Sequence, residues 1–449
     1  MFYQRITSFY NNKMNKNYYW SFASLIFCAA LYLIWPLAHT IALRKVLLLI
    51  SACIGIALWV RCDDRFAILK STWLQLLGLL LAWVLFHAGF LSQNGAEAWD
   101  EFAGQWLPAY LAILAGIGLG LASRNIDPDI FKGYLLLILA AQPVLFLLYS
   151  TYESIQLGRL TGFYVGQFGT DLKTSLTFSS DMVAALACYK FLESFNSEVQ
   201  NRRKYLWLLP VVLALFVAIF SSSTNSILLI IGCFISMIAL LGYKLNIRLS
   251  MGGITGVILL AAISIYAVSY TPAVENKIKG MISNTKVSAN IDTYQNWTNF
   301  QKFGLPRNEL GEQLGESFYL RVAYAKAGLR AILEHPWGYG VTRQAFERLI
   351  KQKHPDASIA NAHNGYLNLS SAVGIPGLLL FVFALVAIFM QLHRSNSEYA
   401  GPATWMIGIY AVHWITDALE RDHFFESYLF VIALLLTLVV NKTAKETYA

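Results

Sequence analysis

About twelve runs of apolar residues recur along the chain, each close to the ~20 residues that a helix needs to cross a hydrocarbon layer of ~30 Å. They centre on 24–37, 43–60, 73–91, 107–122, 134–149, 176–191, 206–220, 227–243, 252–270, 366–392, 405–419 and 428–440. Lipid offers no partner to a free backbone N–H or C=O, so segments this long and this apolar have to be helical. Composition agrees: 57% of the 449 residues are hydrophobic and 13% are charged, and the mean hydropathy is +0.50, whereas soluble proteins carry about 25% charged residues. The expected fold is an all-α, polytopic integral membrane protein with about 12 transmembrane helices and one large helical loop. Helices 1–9 would fill 1–270, the loop 271–363, and helices 10–12 364–449.

Short loops rich in Lys and Arg are retained in the cytoplasm. Arg5, Lys13 and Lys16 precede the first run, and Arg61, Arg65 and Lys70 follow the second. Arg202, Arg203 and Lys204 separate runs six and seven, Lys244 and Arg248 separate eight and nine, and Lys442 and Lys445 end the chain. All fall on one side if the count is twelve, with Arg44 and Lys45 as the exception, so both termini are expected in the cytoplasm. The first run has no small-residue cleavage site after it and is expected to stay as an uncleaved helix. Cys28, Cys53, Cys62, Cys188 and Cys233 lie in or beside the runs without metal-type spacing, which supports neither a disulfide framework nor a zinc site. The net charge of +8 is accounted for by topology and anionic headgroups. No Gly-rich phosphate loop, internal repeat or nucleic-acid motif is found.

The loop 271–363 is long enough to carry function of its own. Within it, ESFYLRVAYAKAGLRAILEHPWGYG predicts an amphipathic helix over 316–334, stopped by His335, Pro336 and the Gly338 and Gly340 pair. A second, basic helix is expected over 343–353. Lys326, Arg330, Arg348, Lys351 and Lys353 suit a solvated or headgroup-facing surface. Arg321 differs because Phe318, Tyr319 and Tyr324 would shield its planar guanidinium for a bidentate phosphate contact. Arg159, in GRLTGFYVG, falls on the same expected side, and two arginines from separate loops could neutralise a departing diphosphate. Its plainer reading is a surface arginine.

His363 directly precedes the run beginning near Tyr366. A helix start disfavours an imidazolium and keeps the ring able to accept a proton, and Asn364 could orient the ring or a substrate hydroxyl. His335 and His354 read as structural. Gly374, Pro376 and Gly377 have a packing explanation, while His413 and Asp417, spaced i, i+4, could pair. Asp181 is a further acid inside an apolar run.

An arginine-bearing loop, then a long loop whose R-x-x-x-A helix ends in HPxGxG, then HN-x9-GxxG opening the next span: this order resembles the O-antigen ligase and polymerase superfamily, O-antigen ligase in particular. The specific residues fall within about 316–378. The resemblance implies an inverting, metal-independent glycosyltransferase that needs no cofactor and moves O-antigen polysaccharide from undecaprenyl diphosphate to lipid A-core, in lipopolysaccharide biosynthesis. It implies a bacterial inner-membrane enzyme with its active site facing the periplasm. His363 would be the base on the acceptor hydroxyl and Arg321 a diphosphate-binding arginine. Where the family often has Ser-Arg-Gly, this chain has SSSTNS, with Thr224 and Asn225 at that place; Arg159 is the substitute expected for the second arginine. Leu378 also follows the glycine pair in place of a small or hydroxyl residue. Metal-free chemistry fits the position of the Asp127 and Asp129 pair in a loop expected to be cytoplasmic. Other readings are an O-antigen or exopolysaccharide polymerase, a protein O-oligosaccharyltransferase, and a polysaccharide flippase or transporter, the last favouring inverted repeats that the sequence does not display.

Overall fold

The computed structural model describes residues 18–35, 37, 39–63, 65–158, 171–195, 202–221, 223–244, 283–418 and 422–446. Fourteen helices are used below: α1 Tyr18–Ile34, α2 Ile41–Val60, α3 Thr72–Phe86, α4 Gly95–Glu101, α5 Leu107–Ala122, α6 Pro128–Leu157, α7 Asp171–Glu193, α8 Leu208–Phe220, α9 Thr224–Lys244, α10 Glu316–Glu334, α11 Ala345–Lys351, α12 Gly365–His393, α13 Ala400–His413 and α14 Asp422–Glu446. Among the described residues no strand forms, and one isolated bridge joins Arg307 to Gln313. Among the described residues, seven helices are long and apolar enough to cross a membrane. Every expected run falls on a helix except 252–270, which lies outside the described residues. The helix under 405–419 ends early, at His413, and gives way to a turn. The run 107–122 extends backwards through a π-helical turn, Phe102–Trp106, into α4.

The bundle closes around α5. Its sequence AGIGLGLA removes side chains where backbones cross, a device used by membrane helices because lipid supplies no hydrophobic drive for association. A methyl on Gly118 would sit 2.4 Å from the Cα of Gly55 in α2. One on Gly116 would sit 2.3 Å from the Phe430 carbonyl oxygen in α14. α7 makes a second centre against α6, α8, α9 and α13, with Met182 to Cys188 fully buried. At the end of α12 away from the long loop, Lys132 and Lys190 bind Glu193 and Asp129, with Lys190 Nζ 2.8 Å from Asp129 Oδ1. Asp127 caps α6 by accepting from the backbone of Asp129 and Ile130. The Asp-x-Asp pair is thus occupied as a helix cap and an ionic brace.

The described part of the long loop has its own core, with Trp297, Tyr319, Tyr324, Ile332 and Phe346 packed around α10 and α11 and against Leu367 of α12. α10 has the expected bounds, whereas α11 is shorter than expected. The loop is joined to α12 by an exchange of backbone hydrogen bonds. Pro376 has no N–H to offer the carbonyl four residues back, and Gly374 sits at φ 73°, ψ 179° inside α12, a conformation nearly confined to glycine. Ile375 N donates to Pro336 O at 2.8 Å; the freed carbonyls of Ser371 and Ala372 accept from Tyr339 N at 2.8 Å and Gly340 N at 3.1 Å. Trp83 of α3 donates to Val373 O, and His87 donates from Nε2 to Trp337 O at 2.7 Å. The HPxGxG and GIPG motifs are therefore two halves of one joint.

Candidate functional site

Three asparagines shape the backbone around His363. Asn361 Oδ1 accepts from His363 N and Asn368 Oδ1 from Ala362 N, both at 2.8 Å. Asn364 is the N-cap of α12, accepting from Leu367 N at 3.0 Å. This sequence holds His363 at φ 50°, in the left-handed region, where a side chain with a Cβ is held at some cost. The imidazole stands just before the positive end of the first segment of α12, which runs from Gly365 to the break at Gly374.

α10 supplies the facing wall. Tyr324 stacks on the His363 ring, with centroids 6.2 Å apart and planes 9° from parallel. Burial raises the Tyr324 phenol above its ordinary range, so it stays protonated. Arg321 lies three residues before Tyr324, and residues so spaced are neighbours on one helix face; the same wall therefore presents the arginine and touches the histidine. Tyr319 points elsewhere, donating to Tyr294 O and accepting from Trp297 N inside the loop core.

Arg321 is half-buried and donates from Nη1 to Asn225 Oδ1 at 3.2 Å. Among the described residues no carboxylate pairs with it. The other loop cations are engaged: Arg330 with Asp292 at 2.6 Å, Lys353 with Glu334 at 2.6 Å, Lys351 with Glu347, and Arg348 with Glu97 at 2.6 Å. Arg343 reaches Glu101 at 3.3 Å, so the acidic turn before α5 clasps the second loop helix. Lys326 donates to Ala289 O. Lys326, Arg330, Lys351 and Lys353 are exposed, in line with the expected solvated surface, and they also brace the loop. Arg321 keeps an un-neutralised charge beside an amide.

A turn after α13 ties both walls together. The Trp414 carbonyl accepts from Gly365 N and the Ile415 carbonyl from Asn364 Nδ2, each at 2.8 Å, and the Thr416 carbonyl from Asn225 Nδ2 at 3.2 Å. Asn364 thus has both side-chain groups in the scaffold, supporting His363 through the backbone. Beyond it, a narrow cleft lies between the acidic turn and the loop, lined by Glu101, Gln105, Trp106, Thr342, Arg343 and Asn368.

Arg159 lies outside the described residues. His335 closes α10, and His354 packs edge-on against Trp297 at 5.3 Å, both as expected for structural side chains. The five cysteines are free thiols. Sequence reasoning did not foresee that Asn225 receives Arg321 or that Tyr324 stacks on His363. The second was accessible, since Arg321 and Tyr324 share a face by spacing; the first depends on a contact between distant segments. No match to the chain was found among curated proteins. Residues 209–382, which hold Asn225, Arg321, Tyr324 and His363, match the family model described as O-antigen ligase, so this segment is similar to that family.

Proposed function

We propose that the protein is a glycosyltransferase that moves O-antigen polysaccharide from undecaprenyl diphosphate to lipid A-core at the periplasmic face of the inner membrane. The observation that carries this reading is the joining of an un-neutralised arginine and an imidazole on one wall, Arg321 and Tyr324 against His363, within the family-matched segment. In the proposed step an acceptor hydroxyl attacks the anomeric carbon of the donor sugar as the bond to the diphosphate oxygen breaks, inverting that centre. His363 takes the hydroxyl proton, a contribution typically worth about 10² to 10⁴-fold. The planar donors of Arg321 stabilise the charge gathering on the diphosphate, and Arg159 is proposed as a second cation there. Asn364 fixes the ring's backbone. No divalent metal takes part in the proposed step.

The test uses purified protein with lipid-linked polysaccharide donor, lipid A-core acceptor and excess chelator. His363→Ala is expected to lose transfer while still binding donor. Transfer at the wild-type rate by His363→Ala overturns the base assignment, and activity abolished by chelator overturns the metal-free step. Product identity separates the readings: elongated polymer with untouched lipid A-core would instead mark a polymerase.

A further inference from the structure

Behind the site, Asp181 of α7 and His413 of α13 are fully buried, with Asp181 Oδ2 2.9 Å from His413 Nδ1. Ser226 of α9 donates its hydroxyl to Asp181 Oδ1. Asp417 stands 3.9 Å from His413 Nε2, and the Tyr410 ring packs edge-on to the imidazole. Only Oδ1 receives a hydrogen bond, from Ser226, while Oδ2 and the imidazole approach closely without hydrogen-bond alignment, so α7, α9 and α13 meet at this buried cluster.

The pair also sets the turn that both walls use. The His413 carbonyl accepts from Thr416 N at 3.0 Å, Asp417 N at 3.1 Å and Thr416 Oγ1 at 3.1 Å, so the residue packed against Asp181 also closes the turn. From that turn the Trp414 and Ile415 carbonyls hold Gly365 and Asn364, next to His363. The next carbonyl, of Thr416, holds Asn225, the partner of Arg321. Asn225 and Ser226 are adjacent, so α9 meets this assembly at both the buried pair and the arginine.

We propose that Asp181, His413 and Asn225 are positioning residues which, through the turn after α13, set the separation of Arg321 from His363. The proposal rests on the assignment of those two residues made above. A diphosphate leaving group and an acceptor hydroxyl must be presented together, and a misplacement of about 1 Å can cost about a hundredfold in rate. Neither Asp181 nor His413 need touch substrate to control that alignment.

The experiment measures kcat and both KM values for Asn225→Ala, Asp181→Asn and the double variant, in purified full-length protein whose melting is followed in parallel. Asn225→Ala frees Arg321 and is expected to raise the donor KM about tenfold with the acceptor KM unchanged, a split that a smaller folded fraction cannot produce. Asp181→Asn keeps volume but replaces a carboxyl oxygen facing His413 with an amide, and is expected to lower kcat on the order of tenfold. Because both act through one turn, the double variant should be no worse than the more severe single one. If Asp181→Asn does not fold, Ser226→Ala takes its place. Wild-type kinetics in these variants, or losses that multiply, overturn the positioning role while Arg321→Ala and His363→Ala remain inactive. Full activity in Arg321→Ala and His363→Ala overturns the underlying assignment and this proposal with it.

Discussion

Replacing Gly374 with alanine should break the joint between the long loop and α12. At φ 73°, ψ 179° a side chain costs about 1–3 kcal/mol in backbone strain alone. The added methyl would also lie 2.5 Å from the Trp337 carbonyl carbon and 2.7 Å from the Pro336 carbonyl oxygen, backbone atoms that cannot rotate away. The loop must therefore withdraw, losing the Ile375–Pro336, Tyr339–Ser371 and Gly340–Ala372 bonds at about 1 kcal/mol each. The total is about 5 kcal/mol, a large share of the 5–15 kcal/mol that usually holds a native fold. At about 2 °C per kcal/mol the detergent-purified variant should melt roughly 10 °C lower, with faster amide exchange over 336–340. Gly158→Ala is the control: it too has positive φ, but among the described residues no atom lies within 4 Å of the added methyl, so the expected cost is only about 1–2 kcal/mol. A melting shift for Gly374→Ala no larger than that of Gly158→Ala would refute the reasoning.

Arg321→Ala and Arg321→Lys are both expected to impair transfer in normally inserted protein, because lysine restores charge but not planar bidentate contact; full activity in Arg321→Ala would return the residue to a surface role. Burial, with Lys353 nearby, lowers the His354 pKa from its ordinary 6.5, so protonation opposes folding. The loop core should be most stable above about pH 6.5 and should weaken as pH falls from there through the lowered value. Amide exchange at Trp297, corrected for intrinsic rate, should rise between pH 7.5 and 5.5 in the wild type and stay flat in His354→Gln; equal profiles would remove His354 as the cause. A cysteine at Leu310, which is 58% exposed, should react with a membrane-impermeant maleimide from the periplasm while one at the C-terminus should not; a cytoplasmic Leu310 is incompatible with use of donor on the outer leaflet.

The apolar runs made the helices legible, and amphipathic spacing placed α10 to the residue. His363 stood out as an ionisable group at an element boundary, and Arg321 as a cation among Phe318, Tyr319 and Tyr324. Asn225 stood out only as a departure from the family's Ser-Arg-Gly, and its meaning comes from Thr416 and Arg321, remote in sequence. Asp181 and His413 were each singled out, but the i, i+4 spacing favoured Asp417 as the histidine's partner. The fold instead brings Asp181 to 2.9 Å and leaves Asp417 at 3.9 Å, because α7 and α13 cross there. Likewise the glycines of HPxGxG and GIPG had a local explanation each, and only packing reveals them as complementary.

That complementarity means that the long loop is not an autonomous module. Excised, it would carry away the donors of Tyr339 and Gly340 and leave the carbonyls of Ser371 and Ala372, with the N–H of Ile375, stranded in a membrane helix. Water cannot take their place in hydrocarbon, where each unmet group costs several kcal/mol. Loop and span must insert, fold and move as one piece, so any opening that admits the proposed lipid-linked donor has to pivot elsewhere than at this seam.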